Sequence, residues 1–356
     1  MPRYVRIDPE EFTLLQPKVF FLSIIVMTMI VLLFQSNIDK DSLIEFSKNN
    51  VVENSFCLSS FNVTKTFGFH NYTEYLRGEL PLIIAVPHGG HILPKDLPDL
   101  TNWYSEDYIR FNDVNTQELA RVVAQQLMIE FGGREVYMVI NHLNQRKVDV
   151  NRPYEQGTKP NIDSPMESSE SQLAWKSYHE FLRNAVDEVE ARFGRGLVID
   201  FHGHAHQEEY IEVGYLLPAD LLALPVHTLN TNSSIHNSSS IRSLYYRMFD
   251  SQITFTSLIR ADVLSLGGRL QMLGYHTVPS QAHHYPTINE SYLHDGGGGY
   301  SVRTYGSSDG GKVDAVQLEI PKKFRIGMEA SHRFVVDLAD GIGWFFKTYY
   351  WGRIEW

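Results

Sequence analysis

The chain has 356 residues, of which 43% are hydrophobic and 21% are charged, and these ordinary globular proportions exclude a disordered or fibrous protein. Its formal net charge of −11, from 31 Lys and Arg against 42 Asp and Glu, argues against a nucleic-acid partner, because nucleic-acid-binding domains carry basic surfaces. Cys57 is the only cysteine of the sequence, which excludes an intramolecular disulfide and a cysteine-based zinc cluster.

Residues 19–34 form an uncharged, apolar run that directly follows Lys18. A helix needs about 17 to 25 residues to span a bilayer, and the polar residues 35 and 36 allow this run to reach that length. We therefore expect one N-terminal transmembrane helix over residues 19–35, in contact with the lipid bilayer. A cleaved secretory signal peptide is the alternative, although residues 35–37 form only a weak cleavage site.

The charges on the N-terminal side of this run predict its orientation. Arg3, Arg6 and Lys18 precede it, and basic flanks favour the cytoplasmic side of a membrane. The expected protein is therefore a single-pass type II membrane protein whose remaining residues are luminal or extracellular. If the segment is cleaved as a signal peptide, the protein is instead secreted.

Five Asn-x-Ser/Thr sequons agree with that orientation, because N-glycosylation requires a luminal acceptor. The acceptor residues are Asn62, Asn71, Asn232, Asn237 and Asn289. The predicted organisation is a cytoplasmic tail over residues 1–18, the anchor over 19–35, a stalk over 36–68 and one catalytic domain over 69–356. Within that domain, the polar residues 230–240 predict an exposed, glycosylated loop.

The domain alternates short apolar runs with helical patterns. In chain order, these predict a strand at Leu82–Val86, a helix at 116–131, a strand at 136–140, a helix at Glu170–Phe193, strands at 197–201 and 316–320, and a helix at 331–350. Continuous apolar strands that alternate with amphipathic helices are typical of a parallel sheet covered on both faces. We therefore expect a three-layer α/β sandwich with a mixed, mainly parallel sheet.

Two predicted strands lead directly into glycine-flanked histidines. His88 follows Leu82–Val86, and His202 follows residues 197–201. Ligands of parallel sheets bind at the carboxyl ends of the strands, so this pattern favours a metal site. Catalytic zinc takes three protein ligands, and Asp113 is the first candidate for the third one, with His91 as the alternative.

Six motifs in order resemble the N-formylglutamate amidohydrolase family, which is related in fold to the zinc carboxypeptidases and aminoacylases. They are PHGG at residues 87–90, the Asp113 segment ahead of its helix, VDVNRP at 148–153, IDFHGH at 199–204, GGYSVRTYG at 298–306 and VQLE at 316–319. The resemblance covers residues from about 80 to about 325. It implies that His88, Asp113 and His202 bind Zn²⁺, that Arg152 binds a substrate carboxylate, and that Glu319 is the catalytic carboxylate.

The chemistry of the individual residues agrees with these roles. Glu319 lies in an apolar strand, where an unpaired carboxylate is costly to bury and therefore needs a reason to be present. Arg152 offers the bidentate fork that a carboxylate requires, and Arg303 is a second candidate for substrate or oxyanion contact. The chain departs from typical bacterial members at His91, in the HGHAH run at 202–206, and in its insertion and anchor. His204 and His206 are expected to support ligands or to lie in a loop.

Residues 306–310 match the G-x-S-x-G pattern of serine hydrolases. A reactive serine in that pattern requires a strand before it and a helix after it. The sequence around Ser308 instead predicts strands on both sides, at 300–305 and 313–320, and hence a hairpin turn. A nucleophilic Ser308 is therefore not expected.

Taken with the resemblance, these patterns predict a membrane-anchored, zinc-dependent amidohydrolase that cleaves an N-formyl or N-acyl amino acid or a short peptide-like amide. Two alternatives remain open at this point. One is a catalytically inactive cell-surface binding protein on the same fold, and the other is a carboxypeptidase-like metallopeptidase.

The predicted orientation can be tested on membranes that carry the full chain. If residues beyond 35 are luminal or extracellular, the sequons are glycosylated and enzymatic removal of N-glycans increases the gel mobility. An unchanged mobility would contradict the predicted orientation.

Overall fold

The computed structural model describes residues 65–100, 112–160, 168–287, 289, 291–326 and 332–351. These residues belong to a compact unit that spans Val63–Trp356. The expected membrane anchor at 19–35 and the sequon residue Asn62 lie outside them. Among the helices of the described ranges, none has the length and apolar character needed to cross a membrane.

One mixed sheet of eight strands forms the centre of this unit. The strands are β1 (Lys65–Phe67), β2 (Thr73–Leu76), β3 (Leu82–Val86), β4 (Tyr137–Asn141), β5 (Gly196–His204), β6 (Ile211–Gly214), β7 (Thr277–Val278) and β8 (Val313–Pro321). Their order is β1-β2-β4-β3-β5-β8-β6-β7. The four central strands, β4, β3, β5 and β8, are parallel, whereas β2 and β6 pair with them in the antiparallel direction. The predicted mixed, mainly parallel sheet is therefore confirmed.

Twelve α-helical segments within the described ranges connect and cover the strands. They are α1 (Thr116–Glu130), α2 (Tyr154–Gly157), α3 (Glu170–Phe193), α4 (Ala219–Leu222), α5 (Val226–Thr231), α6 (Ser233–Ser238), α7 (Arg242–Met248), α8 (Phe255–Arg260), α9 (Leu266–Met272), α10 (Tyr300–Tyr305), α11 (Lys322–Arg325) and α12 (His332–Phe346), which a π-helical turn (Lys347–Trp351) extends. The long helix α3 has the bounds predicted from the sequence. Ser169 caps its start through a capping box with Gln172, and Gly194, with φ of 68°, ends it.

The two faces of the sheet bury separate apolar clusters. Leu82 and Ile84 of β3 belong to the cluster that includes residues of α1 and α12, whereas Ile83 and Ala85 belong to the cluster that includes residues of α3. Successive side chains of a strand point to opposite faces, so a continuous apolar strand supplies both layers. Full burial of such a side chain stabilises the fold by about 1.5–3 kcal/mol.

Several boundaries differ from the sequence prediction. Strand β5 continues through residues 202–204, so His202 lies inside the strand and not after it. Residues 300–305, predicted as a strand, form helix α10, because Val302 and Tyr305 are buried at helical spacing. Lys65–Phe67, predicted as part of the stalk, forms the edge strand β1.

The predicted exposed loop at 230–240 is also wrong. It contains the end of α5 and the whole of α6, and Ile235 and His236 are buried. His236 Nε2 donates to the Leu229 carbonyl at 2.7 Å, and Asn232 caps α6 through the Ser234 N–H. The polar composition of the segment thus reflects a cap and an exposed face. The four described sequon residues, Asn71, Asn232, Asn237 and Asn289, are all exposed.

His179 of α3 links that helix to the segment that follows β4. Its Nε2 donates to the Val150 carbonyl at 2.8 Å, and its Nδ1 lies 2.9 Å from the Tyr305 hydroxyl. Burial lowers the pKa of His179 from its usual 6.5 to about 4, even though the hydrogen bond to Val150 opposes this change. The folded protein therefore holds this ring in its neutral form.

We predict that His179 makes stability fall on acidification. The unfolded chain takes up the proton near pH 6.5 and the folded chain only near pH 4, so stability is full above that window and falls within it, by about 3 kcal/mol from this group. Urea unfolding of His179→Gln at pH 7 and pH 4.5 should show a smaller loss than the parent. His227→Gln, at an exposed histidine, is the control and should match the parent. Equal losses in the parent and His179→Gln would contradict the prediction.

Candidate metal centre and active site

Three buried side chains converge at the carboxyl edge of the parallel strands. His88 follows β3, Asp113 lies in the loop before α1, and His202 lies near the end of β5. Asp113 Oδ2 lies 3.3 Å from His88 Nδ1 and 3.2 Å from His202 Nδ1. The three residues therefore form a group of potential metal ligands.

The distances within this group fit a tetrahedral metal ion. Two ligand atoms that are each about 2.0–2.1 Å from a tetrahedral zinc lie about 3.3 Å from one another. The two Nδ1 to Oδ2 distances agree with that value. A His–Asp–His set also leaves the fourth position available to water, as catalytic sites require.

Each histidine also contacts a second carboxylate through its other ring nitrogen, Nε2. Asp149 Oδ1 lies 2.9 Å from His88 Nε2, and Asp200 Oδ2 lies 3.2 Å from His202 Nε2. A carboxylate on one ring nitrogen fixes the tautomer and directs the other nitrogen towards the metal. Sequence reasoning missed both aspartates, although Asp200 precedes His202 by two residues, the spacing that puts two strand side chains on one face.

The charges in this cluster are strongly coupled. Burial disfavours a charged His88, but Asp149 and Asp113 outweigh burial and raise the pKa of His88 to about 9. In the same way, Asp200 and other carboxylates hold the pKa of His202 well above its usual value despite burial. Burial opposes ionisation of Asp113, yet its hydrogen bonds with the two histidines hold its pKa well below normal. The site therefore favours positive charge between its carboxylates.

Arg325 connects the chain segments that carry these residues. Its guanidinium donates to the carbonyls of Val114, His204 and Ile320, the last two at 3.0 Å. It packs directly against Gly203, where a Cβ would collide with the guanidinium. Since the Gly203 N–H also donates to Asp113 Oδ2 at 3.0 Å, this close backbone approach requires glycine.

Glu319 of β8 lies next to the cluster and pairs in register with His202. Its Oε1 accepts a hydrogen bond from Gln317 Nε2 at 2.8 Å, whereas its buried Oε2 has no hydrogen-bond partner among the described residues. Burial raises the pKa of Glu319 to about 8, with further increases from Asp113 and Glu212 and an opposing effect from His202. Glu319 is thus a buried carboxylate that can hold a proton near neutral pH.

The remaining predicted residues lie at different distances from the cluster. Arg152 Nε lies 3.8 Å from Asp149 Oδ2, which places it beside the partner of His88. Arg303 is exposed on α10. His91 is also exposed and lies 3.5 Å from Glu118, so the structure brings Asp113 to the histidines and not His91.

Ser308 lies in a 3₁₀ turn at Ser307–Asp309. Helix α10 precedes this turn and strand β8 follows it. A nucleophilic serine requires a strand before the turn and a helix after it, and the order here is the reverse. Ser308 therefore lacks the geometry of a nucleophile, as expected, although the predicted hairpin is wrong.

Residues 80–223 match the sequence model of the N-formylglutamate amidohydrolase family. Over this part of its length, the chain is similar to that family. The specific resemblance predicted from the motifs, to N-formylglutamate amidohydrolases, is confirmed for the part of the chain that contains His88, Asp113 and His202.

Solved structures give more distant likenesses. An N-formylglutamate amidohydrolase from Ralstonia eutropha JMP134 is 14% identical, with a TM-score of 0.43 over 77% of this chain and 95% of that chain. A gene product from Agrobacterium tumefaciens is 13% identical, with a TM-score of 0.39 over 76% and 90% of the two chains. A candidate metallopeptidase from Shewanella amazonensis SB2B is 13% identical, with a TM-score of 0.32 over 81% and 88%. No curated protein sequence matches the chain.

We predict that the ligand set is His88, Asp113 and His202. Single alanine substitutions at these positions should each remove stoichiometric zinc, measured by elemental analysis of the purified protein. Asp149→Asn should keep the fold and weaken zinc affinity by about 10- to 100-fold, because it removes only the carboxylate behind His88. His91→Ala is the matched control and should retain one zinc per chain. Zinc retained at full stoichiometry by His88→Ala would exclude His88 as a ligand.

Proposed function

We propose that the protein is a zinc-dependent amidohydrolase that cleaves the amide bond of an N-acyl amino acid. The observation that carries this proposal is the position of Glu319 beside the His88, Asp113 and His202 cluster. A buried acid with an unpartnered oxygen next to a potential metal site is the arrangement that activates a water molecule. The family match supports the same reaction class.

Zinc at this site would supply a Lewis acid that acidifies water and polarises the scissile carbonyl. Glu319 then removes a proton from the attacking water through Oε2 and returns it to the leaving nitrogen as the C–N bond breaks. A divalent cation beside Glu319 would lower its pKa from about 8, which leaves the carboxylate free to accept that proton near neutral pH. The products are a carboxylic acid and a free amine.

Arg152 is the proposed site for the carboxylate of the amino-acid half. Its side chain is about one-third exposed and lies near Asp149, so it is accessible to solvent and close to the metal cluster. Two parallel N–H groups of a guanidinium match the two oxygens of a carboxylate, which the single ammonium group of lysine cannot reproduce. The bound substrate would therefore be positioned by Arg152 and cleaved beside Glu319.

We also propose that residues 19–35 anchor the enzyme in a membrane and that its catalytic domain is luminal or extracellular. The apolar run with its basic flank supports the anchor. Exposure of the four described sequon residues is compatible with glycosylation on that side.

The catalytic role of Glu319 predicts a specific kinetic loss. Glu319→Gln preserves the size of the side chain but cannot accept a proton, so kcat should fall by about 10²- to 10⁴-fold while zinc content and substrate affinity stay near those of the parent. Arg152→Lys should instead raise KM for carboxylate-bearing substrates. Steady-state kinetics on N-formyl, N-acetyl and longer N-acyl amino acids and short peptides would compare the two variants.

Parent-like turnover by Glu319→Gln would contradict the proposed mechanism. If the zinc-loaded parent hydrolyses none of these substrates, the chain is better described as a binding protein that retains the fold. Preferential cleavage of longer peptides at their C-terminal residue would favour a carboxypeptidase-like activity.

A further inference from the structure

A basic pocket lies at the start of β8, at the end of the strand opposite the candidate active site. Its volume is about 420 Å³, a size typical of small-molecule sites, and it is lined by Arg242 and Arg247 of α7 and by Lys312. Val313 begins β8 and Glu319 lies six residues further on, so about 20 Å of extended chain separate the pocket from that carboxylate. The pocket is therefore distinct from the metal cluster.

The lining of the pocket is basic although the chain as a whole has a net charge of −11. None of the described residues that line it is acidic. The described acids that contact lining residues lie outside the lining: Asp314 contacts Arg247, Glu190 contacts Lys312, and Asp309 accepts the Gly311 N–H. The Lys312 pair, at 3.7 Å, is beyond hydrogen-bond distance. The surface that a ligand would contact is thus positively charged.

Arg242 is held in place by neutral partners. Its Nε donates to Asn237 Oδ1 at 3.0 Å, and its guanidinium lies 5.6 Å from the centre of the Tyr246 ring, whose hydroxyl donates to the same oxygen. A Cβ at Gly310, where φ is +104°, would lie 3.2 Å from Arg242 Nη1, so this end of the guanidinium borders the glycine backbone. The N–H groups on Nη1 and Nη2 have no hydrogen-bond partner among the described residues. Arg242 therefore presents a fixed, unpaired fork.

Arg247 reaches the pocket from a buried carboxylate. Its Nη2 donates to Asp314 Oδ2 at 3.2 Å, its Nη1 donates to Ser243 Oγ at 2.7 Å, and its guanidinium lies 5.2 Å from the centre of the Tyr350 ring. Asp314 is fully buried, whereas the Arg247 side chain is 24% exposed. The Tyr350 hydroxyl also donates to Asp314 Oδ2, so Asp314 does not belong to Arg247 alone. A guanidinium carries five N–H groups, and Arg247 keeps donors for a ligand.

We propose that this pocket binds the phosphate monoester group of a ligand. A phosphate monoester carries a charge of about −1.5 to −2 near pH 7 and has three terminal oxygens, so it can contact Arg242, Arg247 and Lys312 together. A carboxylate has one charge and two oxygens and cannot satisfy all three cations. Guanidinium groups pair with two phosphate oxygens, and an ammonium group acts as a point charge.

Tyr246 gives the pocket a second kind of contact. It lines the pocket and is 43% exposed, so its ring can pack against the organic part of the ligand. The phosphate monoester can belong to a soluble molecule or to a lipid headgroup, which share this chemistry. The inference does not depend on the proposed amidohydrolase function.

The test measures direct binding to the purified full chain by isothermal titration calorimetry, at neutral pH and constant ionic strength. Phenyl phosphate, phenyl sulfate and benzoate share a ring and differ in the charged group. Phenyl phosphate should bind at least about tenfold more tightly than the other two, the value of one additional hydrogen bond between charged groups. Vesicles of phosphatidylcholine with and without phosphatidic acid distinguish a lipid headgroup from a soluble ligand.

Variants locate the binding. Arg242→Ala should weaken phenyl phosphate binding by about tenfold or more, and Arg242→Lys should lose less, because it keeps the charge but not the fork. Lys312→Glu, at a side chain that is 65% exposed, should also weaken binding by reversing a charge. Arg333→Ala, at an 81% exposed side chain outside the pocket, is the control and should keep the parent affinity. Arg152→Ala should keep it as well, because the phosphate does not occupy the candidate active site.

Parent-like affinity in Arg242→Ala would overturn the inference, as would equal affinities for phenyl phosphate and benzoate or the absence of binding to every phosphate probe, vesicles included. Binding that is lost in Arg152→Ala and kept in Arg242→Ala would place the phosphate in the candidate active site and would also overturn it. If Arg242→Ala does not fold, parent-like affinity in Lys312→Glu overturns the inference in its place. Because binding is measured directly, a parent without amide hydrolysis contradicts the proposed function and leaves this inference standing.

Discussion

The site depends on the burial of one carboxylate, that of Asp113. Its Oδ2 contacts Nδ1 of His88, Nδ1 of His202 and the N–H of Gly203 at 3.0–3.3 Å. A buried carboxylate is costly unless it is paired, so these contacts hold the loop before α1 against the ends of β3 and β5. Because Asp113 reaches both histidines with one oxygen, the loop and the two strands are fixed relative to one another.

This arrangement requires the main chain at two glycines to lie unusually close to neighbouring residues. Gly203 leaves room for the Arg325 guanidinium, which ties together the carbonyls of Val114, His204 and Ile320. Gly89, with φ of +86°, lies against Thr116 and the Asp113 carbonyl, where a Cβ would collide. A side chain at either glycine would therefore separate the segments that carry the histidines and Asp113. These glycines follow the histidines in the sequence for a steric reason.

Much of this arrangement could be predicted from the sequence, because its signals are local. Continuous apolar strands, helices with clear caps and polar residues after strands predicted the sheet, α3 and the group of His88, His202 and Asp113. Asp149 and Asp200 were missed because each acts through a tertiary contact with Nε2 of a histidine, and sequence spacing alone does not predict such a contact. Short elements also failed. Six residues at 300–305 hold too few apolar positions to separate a strand from a helix, and polar composition at 230–240 concealed a buried isoleucine and histidine.

The electrostatics of the site depend on the number of acidic side chains that the sheet brings together. Burial and the carboxylates of Asp113 and Glu212 raise the pKa of Glu319, whereas His202 and His206 lower it. Glu319 pairs in register with His202 of β5 on one side and with Glu212 of β6 on the other, so groups on both neighbouring strands set its proton affinity. A cation bound by His88, Asp113 and His202 would offset the acids on one side. On the other side, Glu212 accepts hydrogen bonds from His206 Nδ1 and the Tyr292 N–H. Among these described residues, Oε2 of Glu319 is the buried acidic oxygen that has no hydrogen-bond partner.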